Sequence, residues 1–286
     1  MRANRPVGNQ RLMLNVTNPP CSPFLKWPGG KRWLCPSLLQ IICTIPFQRY
    51  FEPFLGGGAL FFALRPHRAI LSDLNPDLIN AYQQVRRIPF KLIEELQKID
   101  VTSETYDALR AERLTSKVRS AVRFLFLNRT AFAGMYRLNR NGEFNVPFGG
   151  GQRRPDVLWT SDLIVNSAQA LRDAELCCGD FEAILRRARR GDLVFCDPTY
   201  TVAHNNNGFI RYNESNFRWA DQERLAGVCA RLRSRGVAVI VSNAFHQEIR
   251  SLYRGAVVHE LDRPSTLCPL PQKRKATREY LFVLEP

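Results

Sequence analysis

At 286 residues, with 45% hydrophobic and 23% charged side chains, the chain can build one large domain or a core with an inserted lobe. Its 41 Lys and Arg against 26 Asp and Glu leave +15, which points to a polyanion partner, nucleic acid before a membrane surface. Scattered cysteines without Cys-x-x-Cys, dispersed histidines and the lack of any ~20-residue apolar run argue against a disulfide framework, a metal site and a membrane span, so a cytoplasmic protein is expected.

In chain order, residues 1–20 read as a disordered basic arm closed by Asn18-Pro19-Pro20. Trp27-Pro28-Gly29-Gly30-Lys31 is a tight turn, followed by Leu34, Leu38, Ile41 and Ile42 at helical spacing. Such a turn can hold an anionic group, and a plain turn with an exposed lysine explains it equally well. Tyr50-Phe51-Glu52-Pro53-Phe54 then runs as a strand into Gly56-Gly57-Gly58 and a helix. Glycines there let the backbone approach a ligand, but they do not form Gly-x-Gly-x-x-Gly, which disfavours a nicotinamide dinucleotide. Ala69 to Asp73 is a second strand ending in an acid. With Glu52 and Asp73 at two strand ends beside a glycine loop, a nucleoside-bearing cofactor is expected, its ribose hydroxyls on the second acid.

Helical patterns cover 77–87, 90–99, 104–114 and 117–128. Their uninterrupted run predicts a lobe, 86–155, inserted into a catalytic core made of 21–85 and 156–286. Asn141-Gly142 lies between two strand-like runs over 136–146, a hairpin signal. Arg129, Tyr136, Arg137, Asn139, Arg140 and Asn141 cluster there; a base- and phosphate-contacting element and a merely basic edge hairpin both fit. Strands follow at 175–180, 193–196, 237–241, 257–261 and 280–284. The first ends in Gly179-Asp180-Phe181 and leads to a helix reaching Arg190; a further helix spans 220–235. About seven strands, mostly separated by helices, make a doubly wound α/β sheet.

The stretch 192–200 concentrates the chemistry. Leu193-Val194-Phe195-Cys196 reads as a buried parallel strand that must stop at Pro198. Asp197, the Pro198 carbonyl and the Tyr200 ring therefore gather at a strand's C-terminal edge, where open α/β sheets bind ligands. The carboxylate and the carbonyl can accept from one exocyclic amine while the ring stacks on the base that carries it. Taken alone, Asp-Pro-x-Tyr is also an ordinary strand end and turn.

Phe24-Leu25-Lys26-Trp27-Pro28-Gly29-Gly30-Lys31, Phe51 to Phe62, Ser72-Asp73-Leu74-Asn75-Pro76-Asp77, Gly142 to Gly149, Gly179-Asp180-Phe181 and Asp197-Pro198-Thr199-Tyr200 occur in that order. Together they resemble the Dam-type, D12-class DNA adenine-N6 methyltransferases. The resemblance implies a seven-stranded, Rossmann-like S-adenosylmethionine-dependent sheet with an inserted, mostly helical DNA-recognition lobe. It implies double-stranded DNA as substrate, S-adenosylmethionine without a metal as cofactor, a monomer, and a cognate restriction endonuclease as a partner. On matching positions, Trp27, Lys31, Glu52, Pro53, Phe54, Gly56, Gly58, Asp73, Asp180, Phe181 and Asp197 would hold the cofactor. Lys26 and the hairpin would face DNA, and Asp197, Pro198 and Tyr200 would bind a flipped adenine. Thr199 departs from the family's usual Asp-Pro-Pro-Tyr and loosens that turn. A catalytically weak DNA-binding module is therefore the alternative; an N4-cytosine enzyme, for which Ser would stand at Asp197, and an RNA substrate are further ones.

Overall fold

The computed structural model describes residues 21–27, 29–114, 116–139, 142–151, 154–201, 217–263 and 277–286. The basic arm, Arg140, Asn141 and most of the Asn-rich loop after Tyr200 lie outside these.

Continuous apolar runs become strands covered on both faces. β1 (Tyr50–Glu52), β2 (Ala69–Asp73), β3 (Ala174–Cys178), β4 (Leu193–Cys196) and β5 (Ala238–Ala244) are parallel, in the order β3-β2-β1-β4-β5. β7 (Thr277–Leu284) runs antiparallel between β5 and β6 (Val257–Arg263), so the sheet closes on β7-β6. The chain order reverses between β1 and β4, and that crevice is where such sheets take ligands.

Alternate strand residues serve two cores. Tyr50, Leu71, Leu193, Phe195, Ile240 and Leu281 pack with α1 (Cys35–Ile42), α2 (Ala59–Leu64), α3 (Pro76–Arg87), α4 (Pro89–Gln97), α5 (Ser103–Ala111), α6 (Lys117–Thr130) and α8 (Ser161–Leu171), beside the one-turn α7 (Pro155–Leu158). Phe51, Ile70, Val194, Val239 and Phe282 pack with α9 (Phe181–Leu185), α10 (Trp219–Ser234) and α11 (Gln247–Leu252). The helical block α4–α6 shares the first core, because α3 packs against both α6 and α8. Tyr106 of α5, fully buried, donates to the Val146 carbonyl (2.8 Å) and ties the end of the hairpin to that block.

Three expectations need correction. Among its described residues the hairpin over 136–146 has no regular strand; it holds one isolated bridge, Leu138 to Phe144, with a second, Ala131 to Phe148, flanking it. Pro147 brings no N–H to a ladder, and Asn139 turns its side chain inward to accept from the Glu143 amide (2.9 Å). The helix expected to reach Arg190 ends at Leu185. Asp192 captures the Arg189 amide (2.7 Å) in the following turn, and Gly191 sits at φ +84°. The strands placed at 237–241 and 280–284 extend to Ala244 and start at Thr277. Part of the basic surplus also has a local role: Arg65, Arg172, Arg186 and Arg235 close α2, α8, α9 and α10, where cations complement the helix dipole.

The segment leading to Trp27 is pinned to α6 by Asn128, fully buried, which accepts from the Lys26 amide (2.9 Å) and donates to the Lys26 carbonyl (2.6 Å). Asn128→Ala strips both partners at once and should lower unfolding stability by about 2 kcal/mol. Chemical denaturation checks this, and a loss within experimental error would contradict it.

Candidate functional site

Parallel strands carry their last residues to one edge, and the expected acids meet there. Glu52 ends β1, Asp73 ends β2 and Asp197 follows β4 directly. Because Cys196 pairs with Val241, Asp197 comes level with Ser242 of β5.

Asp197 sits in a charged knot. The Ser242 hydroxyl donates to its Oδ1 (2.5 Å), and the Lys31 ammonium reaches the same oxygen at 3.1 Å. Both contacts fall on Oδ1. The side chain is 21% exposed, while Lys31 is buried at 5%. Burial raises the Asp197 pKa above the ordinary aspartate value, against the opposing pull of Lys31 and Ser242. Lys31 also donates to the Tyr200 hydroxyl (2.7 Å), lies 4.7 Å from that ring's centre, and pairs with buried Glu279 (3.2 Å). The lysine of the glycine turn thus meets Asp197 and Tyr200 directly.

The glycine loop forms the second half. Gly56 and Gly58 hold φ +46° and +64°, and the Gly56 amide donates to Asp73 (3.0 Å) while its carbonyl accepts from Tyr82 (3.0 Å). A Cβ at Gly56 would lie 2.8 Å from the Trp27 indole, so the ring needs bare backbone there. Trp27 also stacks with Tyr136, at 5.4 Å and 21°. Burial raises the Asp73 pKa in spite of backbone donors from Gly56, Asn75 and Leu74. Glu52, 3% exposed, accepts from Tyr50 (2.8 Å), and burial pushes its carboxyl up to about 8.

Asp180 caps α9 and forms a two-pronged ion pair with Arg224, 2.8 Å on each oxygen, which holds its pKa below the ordinary value. The Arg224 guanidinium lies 4.1 Å from the centre of the Phe181 ring, and Phe54 packs beside Phe181 at 5.4 Å.

The remaining candidates divide. Lys26 is exposed beside the hairpin. Arg129 turns inward to the Phe24 and Leu158 carbonyls (both 3.3 Å) and Tyr136 packs among Trp27, Phe124 and Phe144. Arg137 grips Asn145 (2.8 Å) and Asn139 pairs with Glu143 (2.9 Å), each bracing the hairpin's two arms. Pro198 is buried. The described residues hold no metal-binding cluster and no helix long and apolar enough to cross a membrane.

Sequence reasoning missed Ser242, Glu279 and Arg224. Ser242 was within reach, since the apolar run 237–241 is followed by Ser-Asn at the same sheet edge as Asp197. Glu279 needed the antiparallel direction of β7, which brings that strand's start to this edge.

For Glu52 the unfolded pKa is near 4.5 and the folded one about 8. The folded protein keeps a proton the unfolded chain has lost, so the group's contribution to stability falls as pH rises from 4.5 to about 8 and is level above it. The melting temperature of Glu52→Gln relative to wild type should therefore climb between about pH 5 and about pH 8. A pH-independent difference across that window would contradict this.

Residues 27–267 match one family model, that of the D12 class N6 adenine-specific DNA methyltransferases. The Type II methyltransferase M1.LlaDCHI of Lactococcus lactis subsp. cremoris is 35% identical over 256 residues, covering 85% of this chain and 88% of that one. The Type II methyltransferase M.MjaIII of Methanocaldococcus jannaschii is 33% identical over 259 residues, 82% of this chain and 88% of that one. The DNA adenine methylase of Haemophilus influenzae is 30% identical over 271 residues, 91% of this chain and 93% of that one.

Proposed function

The chain belongs to the D12 class of N6 adenine-specific DNA methyltransferases, and from that premise we propose that it moves the methyl group of S-adenosylmethionine to N6 of an adenine flipped out of double-stranded DNA. The observation that carries this reading is the half-engaged Asp197: among the described residues Ser242 and Lys31 both hold Oδ1, and Oδ2 is left to accept from an incoming amine.

The residues at the sheet edge fit the cofactor. Bare backbone at Gly56 and Gly58 admits close approach, Asp73 offers acceptors for ribose hydroxyls, and Trp27, Pro53, Phe54 and Phe181 supply apolar walls. Glu52 is a buried acid whose raised pKa an arriving cation would draw back down, leaving a carboxylate to face the positive charge. Arg224 already occupies both oxygens of Asp180, so a cofactor adenine would share that carboxylate or displace the arginine. Bound there, S-adenosylmethionine supplies an electrophilic methyl group on a sulfonium that leaves readily.

The protein's own residues do the positioning. A duplex adenine is out of reach inside the stack, and extruding it costs roughly a few kcal/mol. Tyr200, its hydroxyl fixed by Lys31, presents a ring for the base to stack on. Asp197 Oδ2 and the Pro198 carbonyl accept the two N6 hydrogens, which turns the nitrogen lone pair outward and shifts electron density onto it. The amine must shed a proton once alkylated, and the raised pKa of Asp197 makes that carboxylate a better acceptor than an exposed aspartate. The lobe 86–155, with exposed Lys26 beside it, tracks the duplex. Two relatives carry Type II methyltransferase names, which supports a cognate restriction endonuclease as a partner.

Single-turnover transfer of labelled methyl to an adenine-containing duplex tests the reading. Asp197→Ala should abolish transfer while S-adenosylmethionine still binds; transfer at the wild-type rate would overturn the assignment. Thr199→Pro should change the rate only modestly, because Asp197, Pro198 and Tyr200 all remain; a rise from none to full activity would show the threonine to be a lesion. Duplex affinity should fall by roughly 10³–10⁵ between ~50 and ~200 mM salt if the lobe neutralises about 6–10 phosphates. A flat salt response would contradict a phosphate-tracking surface.

A further inference from the structure

The turn that carries Tyr200 is held at two points by consecutive residues of β5. Ser242 grips Asp197 at the turn's first residue. Neighbouring strand side chains point to opposite faces of a sheet, so Asn243 projects away from Ser242, toward the side covered by α10. There it donates to Gln222 Oε1 (2.9 Å), and Gln222 Nε2 in turn donates to the Thr199 carbonyl (3.3 Å). Gln222 and Asn243 are both fully buried, and Asn243 is itself fixed by accepting from the Ala244 amide (2.8 Å). A buried amide bonded on both of its ends has one orientation, since reversing it would set donor against donor and acceptor against acceptor.

The third residue of the turn is threonine, whose φ no ring constrains. A proline there would hold φ near −65° through its own covalent geometry. In this chain, what fixes the peptide between Thr199 and Tyr200 from outside is the amide of Gln222 on the Thr199 carbonyl. We propose that Gln222, oriented by Asn243, is a positioning residue that fixes the Thr199–Tyr200 peptide, and through it the Tyr200 ring, in place of a proline. The inference rests on the methyltransferase reading only for what Tyr200 does once placed; the clamp itself is a property of the turn.

A double-mutant cycle separates this role from simple support of the fold. Gln222→Leu keeps the bulk and removes both hydrogen bonds. It should slow single-turnover methyl transfer about 10- to 100-fold, because small misplacements of a reacting group are costly. The dissociation constant for S-adenosylmethionine should stay within about twofold, and in a Thr199→Pro background the same substitution should cost less than about threefold. Equal losses in the two backgrounds, or no loss in either, would overturn the clamp. Gln222→Glu keeps the shape and the acceptor for Asn243 but loses the donor to Thr199; it carries the same cycle if the leucine variant melts early. Amide hydrogen exchange over residues 199–201 needs no turnover. Gln222→Leu should speed it with Thr199 present and leave it unchanged in the Thr199→Pro background; unchanged exchange in both overturns the clamp. The parent's own turnover, read in the same assay, tests the methyltransferase reading separately.

Discussion

A buried ammonium surrounded by acceptors organises this edge of the molecule. Lys31 is 5% exposed and contacts Asp197, Glu279 and the Tyr200 hydroxyl, so the segment after Trp27, the end of β4 and the start of β7 converge on one charge. Without it, two acids at the same edge would face each other uncompensated, and breaking a buried pair in this way typically costs about 3–5 kcal/mol. That penalty explains why a lysine from a glycine turn is drawn so deeply inward. It also sets the electrostatics of the site, since Glu279 pushes Asp197 toward protonation while Lys31 opposes it. Burial is the larger effect, and Asp197 ends with a raised pKa and one oxygen committed to the protein.

Close packing likewise links the glycine loop to the hairpin. Trp27 lies against the bare backbone of Gly56 and stacks with Tyr136. Asn128 fixes the backbone just before it, and Tyr106 of α5 holds the carbonyl of Val146 at the hairpin's end. The hairpin and the glycine loop are therefore walls of one packed assembly. Several polar residues expected at a DNA surface brace this assembly: Arg129 on two carbonyls, Arg137 on Asn145, Asn139 on Glu143.

Legibility in the sequence followed physical range. The strands at Tyr50–Glu52, Ala69–Asp73 and Leu193–Cys196 were readable because a run buried on both faces is apolar throughout and is punctuated by Gly, Pro or an acid. Parallel geometry then brings Glu52, Asp73 and Asp197 to one edge without further information. Glu279 and Gln222 lacked a signal of that kind, and Ser242 had one only in the end of its apolar run. Their roles depend on which strand lies beside β4, on the antiparallel direction of β7, and on a helix face that reaches the turn. The hairpin was legible as a reversal, from Asn-Gly, but not as an irregular one, because Asn139 bonding to the Glu143 amide and the missing donor of Pro147 act against the ladder one residue at a time. Charge was legible in amount and not in place: arginines that close α2, α8, α9 and α10 add to the same total as those that could meet phosphate.

The central claim is that the Asp197–Tyr200 turn directs methylation to the exocyclic amine of adenine in duplex DNA. It is tested most directly by expressing the protein in cells that lack adenine methylation and determining the modified bases of the genomic DNA by mass spectrometry and sequencing. The account predicts N6-methyladenine in one fixed short context, and none when Asp197→Ala is expressed at the same level. Methylated cytosine in place of adenine, or DNA left unmodified by a folded wild-type protein that binds S-adenosylmethionine, would contradict it.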